Sequence, residues 1–445
     1  MPEYLEEMVV LVREDIKRWK EGLSGNLDDA YKDLLGPLAS QNWFGLPVES
    51  LDPPDGVVGT DGSIATRPLW NGATWWITRG LALSNGGDIR HLDSGIIPMT
   101  VSAGKVDRYT SLRMEYCENA VALESANRED TKYILLDGSL FGRLQHLPIA
   151  LGIPQDELFL LSYYDQLLIL LERCRERGIG IIAVSKDSKV SHFLRALILD
   201  KIKDVTRHAQ TTITPDMIER IKHAVMSPDY PPGIAKGLLR ELKQKKGKDW
   251  DAIASLVEIA QHPISDHVLM QALLRGKGYT RPFLMTMTDH PRRTLMSAFS
   301  NTDGYIAKRY GSVIEASDDP DEIWQLARRV LPRLRELPAI VTFHARLHPS
   351  DTPIRVDIPA WMVGQEENIW EPTLPKFLEC NVTDVMEVLT GGYGGPENYN
   401  IWLKRVDEKV RLRRETVDRL YKRVIENEIN SDFAYNRGYR RVYYA

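Results

Sequence analysis

A chain of 445 residues, 43% hydrophobic and 27% charged, with 10 Trp and 18 Tyr, has the composition of an ordinary soluble globular protein and excludes wholesale disorder; its length suits one large domain with additions or two to three domains. A net charge of −5 argues against a protein that coats nucleic acid by bulk charge, although carboxylates that hold metal ions would add negative charge beside a local basic groove. Three widely separated cysteines (Cys117, Cys174, Cys380) argue against a disulfide framework or a zinc site, and a charged N-terminus with no run of 18 apolar residues predicts a cytoplasmic protein without a membrane span.

Leu5, Met8, Val9, Leu11, Val12, Ile16 and Trp19 recur with helical period and predict a helix over 3–22, inside an N-terminal helical region spanning 1–50. A loop with Pro47, Pro53 and Pro54 follows. GVVGTDGS then predicts a short strand ending at Asp61-Gly62, and the Gly-rich turns Asn71-Gly72 and Asn85-Gly86-Gly87 predict antiparallel hairpins over 69–105. Helical period returns over 108–128. YILLDGSL at 133–140 predicts a buried strand ending in a second Asp-Gly-Ser, 156–177 an amphipathic helix closed by Gly178, and GIIAVSK at 180–186 a third buried strand. Strand, hairpins, helix, strand, helix, strand predicts a mixed α/β sheet, the first part of a core over 55–200. Residues 203–262 are helical, polar and locally basic (KQKKGKDW, 243–250) and form a helical insertion; charge alone leaves a solvated face and a DNA contact both open. Strand-like runs at 281–288, 311–315, 339–347 and 353–358 complete the core over 263–430, which closes with a long charged helix at 400–428, followed by a basic-aromatic tail at 431–445.

Two tripeptides carry the chemistry: Asp61-Gly62-Ser63 and Asp137-Gly138-Ser139. Asp-Gly is a common turn dipeptide, but two copies behind apolar strands are harder to ascribe to turns, and Gly lets the backbone turn sharply or approach a ligand closely. The helix between them offers Glu115 and Glu118 on one side. A helix carboxylate beside two strand-end Asp residues supplies the oxygen ligands that hard divalent ions take, and two such ions can activate water and stabilise the leaving oxygen of a phosphodiester. His344 and His348 read as structural histidines. P-loop, GxSxG and HExxH motifs are all absent.

The set GTDGS, RMEYCENA, YILLDGSL and VSKDSK, followed by ISDHVLMQALL at 264–274 and FHARLHPSDTPIRVDIP at 343–359 with Arg355, Asp357 and Pro359, resembles the NurA nuclease family over roughly residues 55–430. The resemblance implies a ribonuclease H-like mixed sheet flanked by helices and a DNA nuclease dependent on Mn²⁺ or Mg²⁺, with two ions. It also implies a homodimer working with a HerA-type hexameric ATPase, in DNA-end processing or antiviral defence. By motif match, Asp61 and Asp137 take the two strand positions, Glu115 the helix position with Glu118 as substitute, and Lys186 the position after the third strand, where it would hold a phosphate. The family's last motif carries Tyr, Leu and then His; here no His follows His348. Tyr399 and Leu403 match, with Tyr393 as the alternative Tyr, and Asp407 stands where the His would be. Asp is a competent ligand for Mg²⁺ or Mn²⁺. The expected metal set is thus Asp61, Glu115, Asp137 and Asp407. The alternative reading is a catalytically degenerate NurA-like subunit that docks on the ATPase and guides DNA. An actin-like ATPase, which would need a second phosphate hairpin after residue 263, ranks below both.

Overall fold

The computed structural model describes residues 4–23, 29–47, 52–69, 71–186, 189–208, 213–226, 233–285, 287, 289–371 and 374–428; the tail at 431–445 lies outside them. The chain divides into two compact units, 1–45 with 187–281, and 46–186 with 282–445.

The first unit is helical. It comprises Leu5–Leu23, Asp29–Gln41, His192–His208, Pro215–Met226, Ile234–Gln244, Lys248–Gln261 and Asp266–Leu273, with one short antiparallel pair, Trp43–Phe44 and Gly278–Thr280. Ile234–Gln244 shows why these segments are helices: Ala235, Leu238 and Leu242 repeat every three to four residues and form its buried stripe. Asp266, fully buried, accepts the Phe193 and Leu194 N–H groups at 2.9 Å. It thereby satisfies donors that the first turn of His192–His208 leaves unpaired.

The second unit is built on a mixed sheet flanked by helices. Its strands are β1 (Val57–Pro68), β2 (Thr74–Ser84), β3 (Gly87–Ile97), β4 (Tyr133–Asp137), β5 (Gly180–Ser185), β6 (Phe283–Leu284), β7 (Ile340–Arg346), β8 (Ile354–Pro359) and β9 (Lys376–Phe377). Their order is β9-β6-β7-β8-β5-β4-β1-β2-β3; β1, β4 and β5 are parallel and the other neighbours antiparallel. The parallel centre is apolar on both faces, as Ile134–Leu136 and Ile181–Val184 show, which is what helices on each side require. Three helices position the site: α1 (Ala103–Ala126), α2 (Phe159–Arg177) and α3 (Ile401–Val410). Gly178, in the left-handed conformation at φ 64°, closes α2.

Three sequence expectations change. Residues 311–315 are not a strand but the end of the helix Thr302–Glu315, which Asn301 caps at its start and which buries Tyr305, Ile306 and Tyr310 with helical period. Among the described residues of 281–288, only Phe283–Leu284 is strand. The segment 400–428 is not one helix: α3 stops at Val410, and helical turns resume at Arg414–Thr416, Val417–Tyr421 and Lys422–Glu428. The break is specific. The Arg79 guanidinium donates to the Val410 and Arg411 carbonyls (2.9 and 2.8 Å), and the Leu412 N–H donates to Ser63 Oγ at 2.8 Å. Beyond the break, Leu412 and Val417 pack on Trp75 and Ile77 of β2, a burial that contributes about 1.5–3 kcal/mol for a large apolar side chain.

Candidate active site

The first Asp-Gly-Ser does not end a strand. Asp61, Gly62 and Ser63 lie inside β1, which runs on to Pro68 in register with β2. Gly62 sits opposite Gly80, and both are needed because α1 crosses directly over them. A Cβ at Gly62 would come 2.4 Å from Glu118 Oε1, and one at Gly80 would come 2.3 Å from the Cys117 carbonyl oxygen. Gly59, on the opposite face by strand alternation, admits Trp402 of α3 in the same way. Asp61 therefore shares the face of α3, while Glu118 comes over Gly62 with α1.

The second Asp-Gly-Ser does end a strand. Gly138 takes φ +103° and donates its N–H to the Val184 carbonyl at 2.9 Å. Ser139 caps the short helix Leu140–Arg143 through the Gly142 N–H. It also donates to Asp357 Oδ2 at 2.8 Å. Asp357, buried on β8, further accepts from Phe141 N, Thr342 Oγ1 and Arg355 Nε (3.3, 2.7 and 2.9 Å). Thr60 pairs with Leu136 in the parallel register, and the next residue on each strand is Asp61 and Asp137.

Around these two carboxylates the electrostatics are strained. Burial, reinforced by the charges of Glu118, Asp137 and Asp407, pushes Asp61 up to about 8 although the Gly62 N–H lowers it. Burial likewise lifts Glu118 to about 7 despite its ion pair with Arg143. Arg143 is itself buried; it donates to Asn119 Oδ1 at 2.8 Å and reaches toward the Asp137 carbonyl oxygen at 3.4 Å. Asp137 pairs with Lys186 at 2.9 Å, and the same ammonium lies 4.4 Å from the Tyr399 ring centre. The Tyr399 hydroxyl stands close to Asp137 without a well-formed hydrogen bond. Burial, then the charges of Asp137, Asp61 and Asp407, holds its proton well above the ordinary tyrosine range. Asn400 fixes Tyr399 at the start of α3 by accepting the Trp402 and Leu403 N–H groups, both at 3.1 Å. Asp407, two turns along α3, pairs with Arg411 at 2.7 Å.

The structure thus brings Asp61, Glu118, Asp137, Lys186, Tyr399 and Asp407 together. Glu115 turns to the side: it accepts from Tyr163 at 2.7 Å and lies 2.9 Å from His146 Nε2. Burial would raise it, but His146, Arg143 and Tyr163 hold it below its ordinary value. Tyr393 is engaged by Asp351. Among the described residues, no three His, Cys, Asp or Glu side chains already enclose a metal position. Residues that sequence reasoning passed over are Arg143, His146 and Tyr163. None falls in a spacing pattern: Arg143 reaches Glu118, and His146 and Tyr163 hold Glu115 to the side, through the packing of α1 on α2 and on the turn after β4.

A family model for the NurA domain matches residues 55–412. Among solved structures, the NurA nuclease from Sulfolobus solfataricus superposes with TM-score 0.50 at 14% identity, over 97% of this chain and 98% of that one. A NurA bound to dAMP and manganese superposes with TM-score 0.46 at 15% identity, over 93% and 97% of the two chains. A search of curated proteins returns no significant match.

Proposed function

Because this chain belongs to the NurA family, a family of nucleases, we propose that it is a metal-dependent deoxyribonuclease whose centre is Asp61, Asp137 and Asp407, on a ribonuclease H-like core formed by 55–200 and 263–430. The observation that carries this reading is the crowding of like charge on Asp61, which keeps its proton up to about pH 8. Buried carboxylates that repel one another are stable together when a cation neutralises them.

The donor set fits Mn²⁺ or Mg²⁺, being oxygen throughout. Asp61, Asp137 and Asp407 would hold the metal, with Glu118 as the helix carboxylate whose charge acts on Asp61 and Glu115 as the family-matched one beside it. Such ions, two in the full form of the reading, supply water activation and charge for the leaving oxygen. Asp137 would share its charge between the cation and Lys186, whose ammonium would hold the scissile phosphate. Tyr399, protonated across the working pH range, donates a hydrogen bond to a phosphate oxygen. Arg143 keeps Glu118 in place over Gly62. The same reading takes DNA as substrate, a homodimer as the working form and a HerA-type ATPase as partner, in DNA-end processing or antiviral defence. No helix among the described residues is long and apolar enough to cross a membrane.

A second reading is a degenerate docking subunit that guides DNA on the ATPase. Two observations favour it: Asp407 stands in place of the family His, and no three potential ligands already enclose a metal position among the described residues.

Cleavage of labelled linear single- and double-stranded DNA separates the two, run with Mn²⁺, Mg²⁺ or EDTA, and with and without the ATPase. The nuclease reading expects metal-dependent cleavage that drops about 10³-fold in both Asp61→Ala and Asp137→Ala, equivalent to losing several kcal/mol of transition-state stabilisation. Wild-type protein that cleaves nothing even with the ATPase present supports the docking subunit.

A further inference from the structure

The chain is acidic overall, yet residues 404–414 hold six cations (Lys404, Arg405, Lys409, Arg411, Arg413 and Arg414) and only two acids. The structure lays these cations along α3, the extended break that follows it and the start of the next helical turn, on the margin of the candidate centre. One contact joins this ridge to the site, the Leu412 N–H held by Ser63, two residues from Asp61, and Asp407 on the same helix lies near enough for its charge to act on Asp61. A hollow of about 500 Å³ runs beside the helix, with Arg79, Arg90, Lys409 and Tyr421 on its walls. A second hollow shares Asp88 and Lys409 with it and extends to Trp402 and Arg405.

We propose that this ridge and its furrow are the track for a single nucleic-acid strand passing the Asp61–Asp137 centre. The proposal rests on the nuclease reading for its direction and on charge and shape for its ligand.

Cations repeated along a helix about 15 Å long match a polyanion with regularly spaced charges. Aromatic residues in the two hollows, Tyr421 in one and Trp402 in the other, suit stacking on bases, which is tolerant of sequence. Four of the six ridge cations are available. Lys409 and Arg414 are 59% and 90% exposed and their acidic partners stand off at 3.5 and 3.6 Å. Such surface pairs are worth only about 0–1 kcal/mol, so phosphates can replace them. Arg405 and Arg413 are exposed and have no acidic partner among the described residues. The strand's phosphates would follow this side of α3 while one of them sits at Lys186.

The test is equilibrium binding of a fluorescein-labelled single-stranded 20-mer to the full chain in EDTA, where nothing is hydrolysed, over a series of salt concentrations. The triple variant Arg405→Ala, Lys409→Ala, Arg413→Ala should bind about 10- to 100-fold more weakly, and the slope of log K against log salt should shrink by about 2, since each lost single-strand phosphate contact removes about 0.7. An equal charge loss in the helical unit (Lys201→Ala, Lys222→Ala, Lys243→Ala) should leave affinity near wild type. Unchanged affinity and slope in the first triple variant overturn the track, as does an equal loss in the second. Polyglutamate that competes as well as the oligonucleotide also overturns it, making the ridge a surface for an acidic protein. The two readings fail separately. A wild type that binds through the ridge but cleaves no DNA with Mn²⁺ keeps the track and loses the nuclease; one that cleaves, while the ridge variant binds normally, does the reverse.

Discussion

The tripeptide Asp-Gly-Ser occurs twice, and each of its three residues does different work in the two places. In β1 the glycine is there for space: α1 packs so closely that a Cβ at position 62 would meet Glu118 and Met114. After β4 the glycine is there for conformation: Gly138 turns the chain at φ +103° with nothing within 4 Å of a Cβ. Asp61 is buried among like charges, whereas Asp137 is neutralised by Lys186. Ser63 accepts from the C-terminal segment, whereas Ser139 ties its loop to Asp357. Identical sequence therefore yields one carboxylate that is short of positive charge and one that already has it. A cation shared by the two would compete with the ammonium on the second.

The largest effect that tests this contrast concerns the charge over Gly62. Glu118→Ala strands Arg143, whose side chain is 4% exposed, and an uncompensated buried charge costs about 3–5 kcal/mol. Asp137→Ala removes the partner of a Lys186 side chain that is 39% exposed and should cost under about 1 kcal/mol. Chemical denaturation of both variants measures the difference, and equal losses would break the contrast.

Gly62→Ala and Gly138→Ala sharpen it. Overpacking at position 62 should cost about 1–3 kcal/mol, and Met114→Ala in the same chain should recover part of it. The backbone strain at position 138, about 1–3 kcal/mol, should be recovered by no neighbouring truncation. A double-mutant cycle reads the coupling; zero coupling between positions 62 and 114 would show that the helix can move away.

A further effect is in pH. Asp61 goes from an ordinary 3.8 to about 8 on folding, so the folded chain keeps a proton that the unfolded chain releases. Its contribution to stability is therefore lost as pH rises through that window. In EDTA, Asp61→Asn should match wild type near pH 4 and melt a few degrees higher than wild type at pH 9. Mn²⁺ should raise the wild-type melting temperature in the same alkaline range and leave the Asn variant nearly unmoved. A flat difference between the two proteins across pH would mean that Asp61 is not crowded as described.

Much of the core was legible because apolar runs with period two or four speak for themselves: β4, β5, β7, β8, α1 and α2 all lie where the sequence places them. The misreadings have local causes. Gly311–Glu315 is short and its Val and Ile suit a strand, but the Asn301 cap lies ten residues upstream and the helix it starts had already claimed them. The charged segment 400–428 has helical composition throughout, and only Arg79 from β2 reveals that the chain leaves the helix at Arg411. Glu115 and Glu118 were indistinguishable by spacing, because residues three apart share a side of a helix. Sequence alone determined the residue types of the site, the strands that carry Asp61 and Asp137, and the family to which they belong, since these depend on hydrophobic period and on motif order along the chain. Only the tertiary structure decided which glutamate's charge acts on Asp61, that Arg143 and Lys186 hold its neighbours, and that Asp407 joins them from the far end of the chain. Burial and Coulomb interactions depend on distance in space, which the order of residues does not encode.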